Sequence, residues 1–178
     1  MRKFFYSLLV PMVCLGLSTA HAALPSNVRI DFVHPERFSD FSIQGRQEIQ
    51  SAPIFRDRIS AYLSPSVARR FPGATLTLRF TDIDLAGRLE PWRIRKFTNV
   101  RFDRNVASPL RLFFDYTLTN SKGRVLASGS KSLVDGDYLY RYQYYPNIEQ
   151  TQTLFYEQVT LKRWLDYLTP SGSTVAGK

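Results

Sequence analysis

Three acidic residues close together in the sequence are the first candidates for a chemical role. Asp82 and Asp84 end an alternating apolar and polar stretch, and Glu90 follows a glycine at position 87. In an extended strand every second residue points to the same side, so the two aspartates are expected to lie only a few ångströms apart. Adjacent carboxylates repel each other unless a cation, a shared proton or backbone donors hold them. The pattern therefore predicts a Ca²⁺ or Mg²⁺ site or a general acid/base pair, with Glu90 as a third oxygen donor.

A structural role for the same aspartates is the favoured alternative. Their carboxylates are expected to accept hydrogen bonds from the amides around Ala86 and Gly87, or to pair with one of the many nearby arginines. The Asp and Asn spacing of an EF-hand loop is absent from this region. Hydrogen bonds of this kind are common at strand ends, so the turn interpretation outweighs the metal site. No catalytic residue, metal ligand or cofactor is assigned from the sequence.

The segment that follows is long, basic and aromatic. From Gly87 to Pro109 it carries six Lys and Arg side chains against two acidic ones, together with Trp92, Phe97 and Phe102. Loops of this length in a compact domain are usually functional or disordered, and the aromatic residues argue against simple disorder. We expect it to dock on anionic lipid headgroups, cell-wall polymers or an acidic protein surface. The alternative is a solvated basic face that folds over the core through Trp92. The candidate interaction surface consists of Arg88, Trp92, Arg93, Arg95, Lys96 and Arg101.

A third feature is a run of alternating tyrosines. Tyr138, Tyr140, Tyr142 and Tyr144 would share one face of an extended segment, and Tyr145 follows directly. Such rings can form a stacking platform for sugars or a peptide. They can equally cover a sheet edge or fill the seam before the last helix, and packing of this kind is the favoured interpretation because aromatic burial is the commoner use.

The N-terminus has the layout of a secretory signal peptide. Arg2 and Lys3 precede an apolar run, and small residues lead to an expected cleavage site after Ala22. The run is too short for a membrane span, so no transmembrane segment is expected after cleavage. Removal of residues 1–22, with Arg2 and Lys3, lowers the formal net charge from +9 to +7 and removes Cys14, the only cysteine. An exported domain without disulfides favours the bacterial periplasm, where nucleic acid is not an expected ligand.

Residues 23–170 are predicted to form a single α+β domain, and residues 171–178 a disordered tail. The pattern predicts about four strands in a mostly antiparallel sheet, with two main helices packed on one face. The predicted order is strand, helix, strand, long loop, strand, strand and helix. A right-handed crossover between the first two strands would place them parallel and make the sheet mixed.

Periodicity and turn residues set the predicted boundaries of these elements. Residues 28–33 alternate as a strand, and a helix starts near Pro53. Ser64 and Pro65 are expected to interrupt that helix, with a short second piece running to Phe71. The second strand is defined by alternating apolar residues, namely Leu76, Leu78 and Phe80.

The C-terminal half is predicted to contain a hairpin and a helix. The hairpin strands, near 110–118 and 124–134, flank a turn at 120–123. The helix is expected to run from about Glu149 to a stop at Pro170. Its predicted apolar face consists of Leu154, Leu161, Trp164, Leu165 and Leu168. Its predicted polar residues are Glu157, Lys162 and Asp166.

Three places in the chain resemble a Gram-negative bacterial family of exported proteins, the domain of unknown function 3016. They are the strand end 33–40 (Val-His-Pro-Glu-Arg-Phe-Ser-Asp), the block 81–92 (Thr-Asp-Ile-Asp-Leu-Ala-Gly, then Glu-Pro-Trp), and the closing helix with Trp164. The block 81–92 is the most specific of the three. The resemblance implies export and a single domain, and it implies no activity, cofactor or catalytic residue.

Two functions remain open from the sequence. The first is a non-enzymatic periplasmic binding domain that uses the basic, aromatic loop toward an anionic envelope component or a protein partner. The alternative is a metal-dependent or carboxylate-based hydrolase centred on Asp82, Asp84 and Glu90. The sequence does not indicate the partner or the oligomeric state.

Overall fold

The fold is built on one four-stranded mixed sheet. The computed structural model of the protein describes residues 26–87, 109–138 and 153–169. The strands follow the spatial order β1-β2-β3-β4. Their bounds are β1 Val28–Phe32, β2 Thr75–Asp84, β3 Leu110–Thr119 and β4 Val125–Asp135. The first pair is parallel and the other two are antiparallel, so the predicted α+β class and the mixed sheet are confirmed.

Among the described residues, two helices supply the second layer. A short 3-10 turn, Pro35–Arg37, follows β1, and α1, Glu48–Arg70, forms the crossover that returns the chain to β2. The last helix, α2, covers Phe155–Tyr167. Contacts join α1 both to β1 and to α2, as expected for two helices on the same face of a sheet. In the described part of the chain, neither helix is both long enough and apolar enough to cross a membrane.

Helix α1 is continuous, so the predicted break at Ser64 and Pro65 is wrong. It also begins earlier than the predicted start at Pro53, and both prolines lie inside it. Each proline removes one helical N–H, which leaves the carbonyl four residues earlier without its partner. Those carbonyls belong to Ile49, which is 64% exposed, and to the exposed Ala61. Water can therefore satisfy both groups, which lowers the penalty that normally ends a helix. The Ser64 hydroxyl does not cap a new helix and instead hydrogen-bonds the side chain of Asn27.

An extra residue in β2 changes which positions face the core. Phe80 pairs with Phe114 and Asp82 pairs with Phe113, so Thr81 has no partner of its own in β3. Such a bulge reverses the alternation of the strand. Buried positions therefore switch from even numbers, ending at Phe80, to odd numbers, beginning at Ile83. Because of this shift, Asp82 and Asp84 lie on the face of the sheet opposite to the buried Ile83.

The predicted hairpin between β3 and β4 is confirmed. The side-chain oxygen of Asn120 accepts hydrogen bonds from the backbone N–H groups of Lys122 and Arg124, each at 3.0 Å. Gly123 has φ of +76°, a conformation that glycine adopts without steric cost. On the covered face of the sheet, Phe114 contacts Trp164 of α2 edge-on with ring centroids 5.0 Å apart.

The apolar face predicted for α2 is confirmed, since its residues Leu161, Trp164 and Leu165 are buried. Lys162 and Asp166 lie off that face and form an i,i+4 ion pair of 2.6 Å. The prediction for Glu157 is wrong, because its side chain is only 3% exposed. It is buried because its carboxylate accepts a backbone N–H of the turn after β2, which is part of the candidate site.

Candidate functional site

The long connections that follow β1, β2 and β4 all leave the described sheet at the same end. Phe32, Asp84 and Asp135 end their strands there, and Leu110 begins β3 there, opposite Asp135. We refer to this end as the loop end of the sheet. The predicted acidic residues and both ends of segment 88–108 lie at it.

Asp82 uses both carboxylate oxygens to hold the chain that follows β1. Its Oδ1 accepts the backbone N–H of Ser39 at 2.7 Å, and its Oδ2 accepts the Ser39 hydroxyl at 2.8 Å. Oδ1 also accepts the N–H of Ile83 at 2.9 Å. Hydrogen bonds to an ionised acceptor are stronger than neutral ones. Asp82 therefore links two segments that are more than forty residues apart in sequence.

The residue after Ser39 continues this link through the backbone. The N–H of Asp40 donates to the carbonyl of Ile83 at 3.1 Å, and its carbonyl accepts the N–H of Leu85 at 3.0 Å. This makes a short parallel bridge between Asp40 and Asp84. Below it, Phe41 is buried in a cluster of rings that includes Phe55, with centroids 5.5 Å apart. The segment after β1 is thus anchored to the end of β2 by polar contacts above and aromatic packing below.

Asp84 is paired across the sheet. Its Oδ2 lies 3.2 Å from a guanidinium nitrogen of Arg111, its register partner in β3. The side chain of Asp84 is 22% exposed and that of Arg111 is 46% exposed. An ion pair with this much solvent contact adds little to stability. It does provide a positive partner for the second carboxylate, as the structural interpretation of the sequence requires.

Glu157 anchors the turn after β2 from the opposite side. Its Oε1 accepts the backbone N–H of Ala86 at 2.9 Å, in a buried position. The residue stands in the first turn of α2, where the helix dipole favours a negative charge. Gly87 follows with φ of +70°, a backbone conformation that favours glycine. The helical periodicity of the sequence did not predict this contact, because a glutamate is expected on the exposed face of a helix. The signal present in the sequence is an acidic residue in the first turn of the helix.

A second buried carboxylate lies at the same end of β4. Asp135 is 3% exposed and accepts the hydroxyl of Thr160 at 3.3 Å. It also accepts the N–H of Asp137 at 3.1 Å, which turns the chain after the strand. Like Glu157, Asp135 connects α2 to the end of a strand.

The geometry therefore answers part of the prediction for the acidic site. Strand β2 continues to Asp84, so Asp82 and Asp84 share a face as predicted, with the buried Ile83 on the other side. Within 26–87, 109–138 and 153–169, no three His, Cys, Asp or Glu residues form a group that could hold a metal ion. Glu90 lies outside the described residues. Asp82 accepts backbone N–H groups, and Asp84 pairs with the guanidinium of Arg111. A role for Glu90 stays a prediction.

The predicted interaction surface also lies outside the described residues. This applies to Arg88, Trp92, Arg93, Arg95, Lys96 and Arg101. The structure does place the two ends of their segment. Gly87 is buried at one end, and Leu110 is fully buried at the other. Since Asp84 and Arg111 are register partners, the segment leaves and re-enters the sheet on adjacent strands.

The tyrosine run is described only at its first residue. Tyr138 is 2% exposed and packs on Tyr156 of α2, with ring centroids 4.6 Å apart. Tyr138 therefore packs against the last helix, as the favoured interpretation of the sequence predicts. Tyr140, Tyr142 and Tyr144 lie outside the described residues, and the stacking platform stays a prediction.

His34 stands in the turn after β1. It has φ of +56° and places Nδ1 3.2 Å from a carboxylate oxygen of Glu36. The pKa of Glu36 is lowered, first by its own backbone N–H and then by His34. Both side chains are well exposed, so this is a turn contact on the surface.

One shallow hollow opens on the sheet beside the β2 bulge. It has a volume of about 420 Å³ and is lined in part by Thr81, Phe113, Asp115 and Ser132. Its carboxylate, Asp115, accepts the Ser130 hydroxyl at 2.6 Å. The hollow is open to solvent, and Asp115 is the only carboxylate among the described residues that line it, whereas acid/base chemistry commonly uses a pair.

Comparison with known proteins gives one positive finding. A search of the curated proteins found no relative, and a search of the solved structures found no similar structure. A family model does match, over residues 26–167. The match includes all three places described above: the segment after β1, the end of β2, and α2. Because it covers most of the 178 residues, the chain belongs to the family described as Protein of unknown function (DUF3016).

Proposed function

We propose that the protein is a non-enzymatic binding domain of the bacterial periplasm, which uses segment 88–108 to bind an anionic envelope component or an acidic protein surface. The observation that carries the proposal is the way the loop end is built. Three separate parts of the chain hold the base of this segment: Ser39 through Asp82, Arg111 through Asp84, and Glu157 through the amide of Ala86. Binding loops are typically presented by a rigid scaffold of this kind.

The chemistry of the segment defines the partner. Residues 88–108 contain six basic side chains against Glu90 and Asp103, and they contain three large aromatic residues. Such a composition suits anionic surfaces, where Lys and Arg attract phosphate or carboxylate and aromatic rings add contact area. The described carboxylates at the loop end already have partners among backbone donors and a guanidinium, which supports a scaffold role for them over a catalytic one.

Export is the second part of the proposal. It rests on the layout of residues 1–22, and the first strand begins only at Val28. Cleavage after Ala22 would therefore leave every described element intact. The N-terminal sequence of the protein recovered from a periplasmic extract tests this directly. Recovery of a chain that starts at Ala23 supports export, and an intact N-terminus found in the cytosol contradicts it.

The binding surface is tested by reversing its charge. We expect a variant with Arg93, Arg95 and Lys96 all changed to Glu to fold normally and to be lost from the envelope fraction. The matched control changes Arg58, Lys122 and Arg124 to Glu, three exposed residues elsewhere on the surface, and has the same net charge. We expect this control to stay with the envelope. Equal fractionation of the two variants would contradict the proposal.

A further inference from the structure

We infer that β4 is a self-complementary edge, through which two copies of the protein pair antiparallel about Ser130. This inference is independent of the proposed function. Among the described residues, β4 pairs only with β3 and forms one edge of the sheet. Its central residues, 128–132, are all exposed. No described strand pairs with the outer side of residues 128–132, and the outer side of such a strand presents a row of backbone donors and acceptors that another strand can use.

The sequence of β4 is nearly palindromic about its centre. Residues 126–134 read Leu-Ala-Ser-Gly-Ser-Lys-Ser-Leu-Val, with Ser130 in the middle. In an antiparallel pair centred on Ser130, Ser128 lies opposite Ser132 of the second copy. Ala127 lies opposite Leu133, and the regular pairing ends at Leu126, which is the extra residue of a bulge in β4. Hydroxyls thus meet hydroxyls and apolar residues meet apolar residues, which are favourable cross-strand pairs.

The one charge in this part of the strand has a place in the same register. Lysine on an edge strand normally prevents pairing, because like charges meet. Centred on Ser130, Lys131 lies opposite Gly129 of the second copy. A Cβ at Gly129 would stand only 3.3 Å from the ring of Tyr116, so that ring leans over this position. Lys131 of one copy can then lie beside the Tyr116 ring of the other, an arrangement that favours a cation.

Neighbouring registers lack this match. A pair centred on Lys131 sets the two lysines directly opposite each other, which is destabilising. A pair centred on Gly129 sets the apolar Ala127 against the charged Lys131. Registers are distinguished by such side-chain pairs, and over residues 127–133 the one centred on Ser130 is the only one of the three without a mismatch.

The expected association is weak and reversible. A single strand pair buries less than the roughly 1,600 Å² of a standard protein interface. Trapping by a disulfide is therefore the appropriate experiment, and the mature chain expected after cleavage contains no cysteine of its own. In antiparallel strands, directly opposed Cα atoms lie about 4.5–5.5 Å apart. A disulfide requires less than about 7 Å.

The test uses single cysteines under mild oxidation. We expect Ser130→Cys to form a covalent dimer at least tenfold faster than Ser121→Cys, a control in the exposed β3–β4 turn. Ser128→Cys alone should resemble the control, because its own copy stands four residues out of register, about 14 Å away. A mixture of Ser128→Cys and Ser132→Cys should form the mixed dimer. Circular dichroism checks that each variant is folded.

Each result decides the inference. Fast crosslinking at Ser130 together with the mixed 128–132 dimer supports it. Crosslinking at Ser130 no faster than at Ser121 overturns it, and so does equal crosslinking of Ser128→Cys with itself. As a second measurement, Ser128→Lys with Ser132→Lys sets lysines opposite each other twice and should raise the dimer Kd at least tenfold by sedimentation. The exposed pair Gln50→Lys with Ser121→Lys should leave it unchanged, and equal effects of the two pairs overturn the inference.

Discussion

Asp82 shows how an acidic residue that suggests catalysis can instead organise the chain. A catalytic carboxylate needs an oxygen that is open to substrate, and a metal ligand needs one that is open to the ion. Both oxygens of Asp82 accept hydrogen bonds from protein donors, two of them on Ser39. The sequence pattern of alternating aspartates is the same in either case. Only the position of Ser39, far away in the sequence, distinguishes them.

Replacing Asp82 should therefore affect stability. We expect Asp82→Ala to lower the free energy of unfolding by about 1–3 kcal/mol, because it removes a charged acceptor from three donors. The control is Asp31→Ala, an exposed aspartate on β1 for which a change within about 0.5 kcal/mol is expected. Urea unfolding followed by circular dichroism measures both. Equal losses in the two variants would show that the Ser39 contacts do not contribute.

The same residues predict how the protein responds to divalent cations. With its carboxylates bound to amides and to Arg111, the protein should melt at the same temperature in Ca²⁺, Mg²⁺, Mn²⁺ or EDTA. An ion site completed by Glu90 would instead stabilise the fold by about 2.7 kcal/mol at a hundredfold excess over Kd. That gain would disappear in Asp84→Asn. Thermal melts of the wild type and of this variant decide between the two, and an ion-dependent rise in the wild type alone would restore the hydrolase hypothesis.

At the scale of elements, α1 contains two prolines in its interior, and each of them removes a hydrogen bond from the helix. Pro65 is exposed and deprives the carbonyl of Ala61 of its helical partner. Proline in an exposed helix interior is less favourable than alanine by about 3 kcal/mol, part of which is offset by the stiffer unfolded chain. We expect Pro65→Ala to raise the free energy of unfolding by roughly 1–2 kcal/mol, measured by urea unfolding. A loss of stability would mean that the ring makes packing contacts that outweigh the lost hydrogen bond.

The elements that followed from local patterns were predictable, and those that depend on distant contacts were not. Alternation and turn residues give β1, the start of β2 and the β3–β4 hairpin, where Asn120 and Gly123 act within the turn itself. The true start of α1 was missed because its first residues carry no capping side chain; the helix start is instead fixed by Ser51, whose buried hydroxyl accepts the N–H of Ile43. The bulge at Thr81 and the burial of Glu157 depend on the partner strand and on Ala86.

Glu157 gives a prediction about how α2 holds the loop end. Glu157→Ala leaves the buried amide of Ala86 without this acceptor, which should cost about 1–3 kcal/mol. Glu157→Gln keeps an acceptor oxygen at the same place and should cost less. Urea unfolding measures the difference, and hydrogen exchange should show faster exchange at Ala86 in the alanine variant only. Equal stability and equal exchange in both variants would contradict an anchoring role for this carboxylate.

At the scale of the whole molecule, the described residues combine a packed core with one end of the sheet from which the long connections leave. The strands, α1 and α2 form a connected core in which Phe80, Phe114 and Trp164 are in ring contact across both layers. The long connections that follow β1, β2 and β4 start from the loop end, where two of the three places of family resemblance also lie. The formal charge of +9, or +7 after the expected cleavage, is carried in good part by segment 88–108. A basic segment on a rigid base suits long-range attraction to an anionic surface.

The proposed attraction has a signature in its dependence on salt. Charges exposed to solvent are screened over about 10 Å at 0.1 M salt and about 3 Å at 1 M. We expect the mature protein to be released from the envelope fraction as salt is raised across this range, and to be released little by a nonionic detergent. The variant with Arg93, Arg95 and Lys96 changed to Glu should be unbound at every salt concentration, whereas the control with Arg58, Lys122 and Arg124 changed should follow the wild type. Sedimentation of washed envelopes measures all three. Because apolar contacts are not weakened by salt, binding that persists at 1 M and is lost in detergent would assign it to the aromatic residues of the segment and contradict an electrostatic role for its arginines.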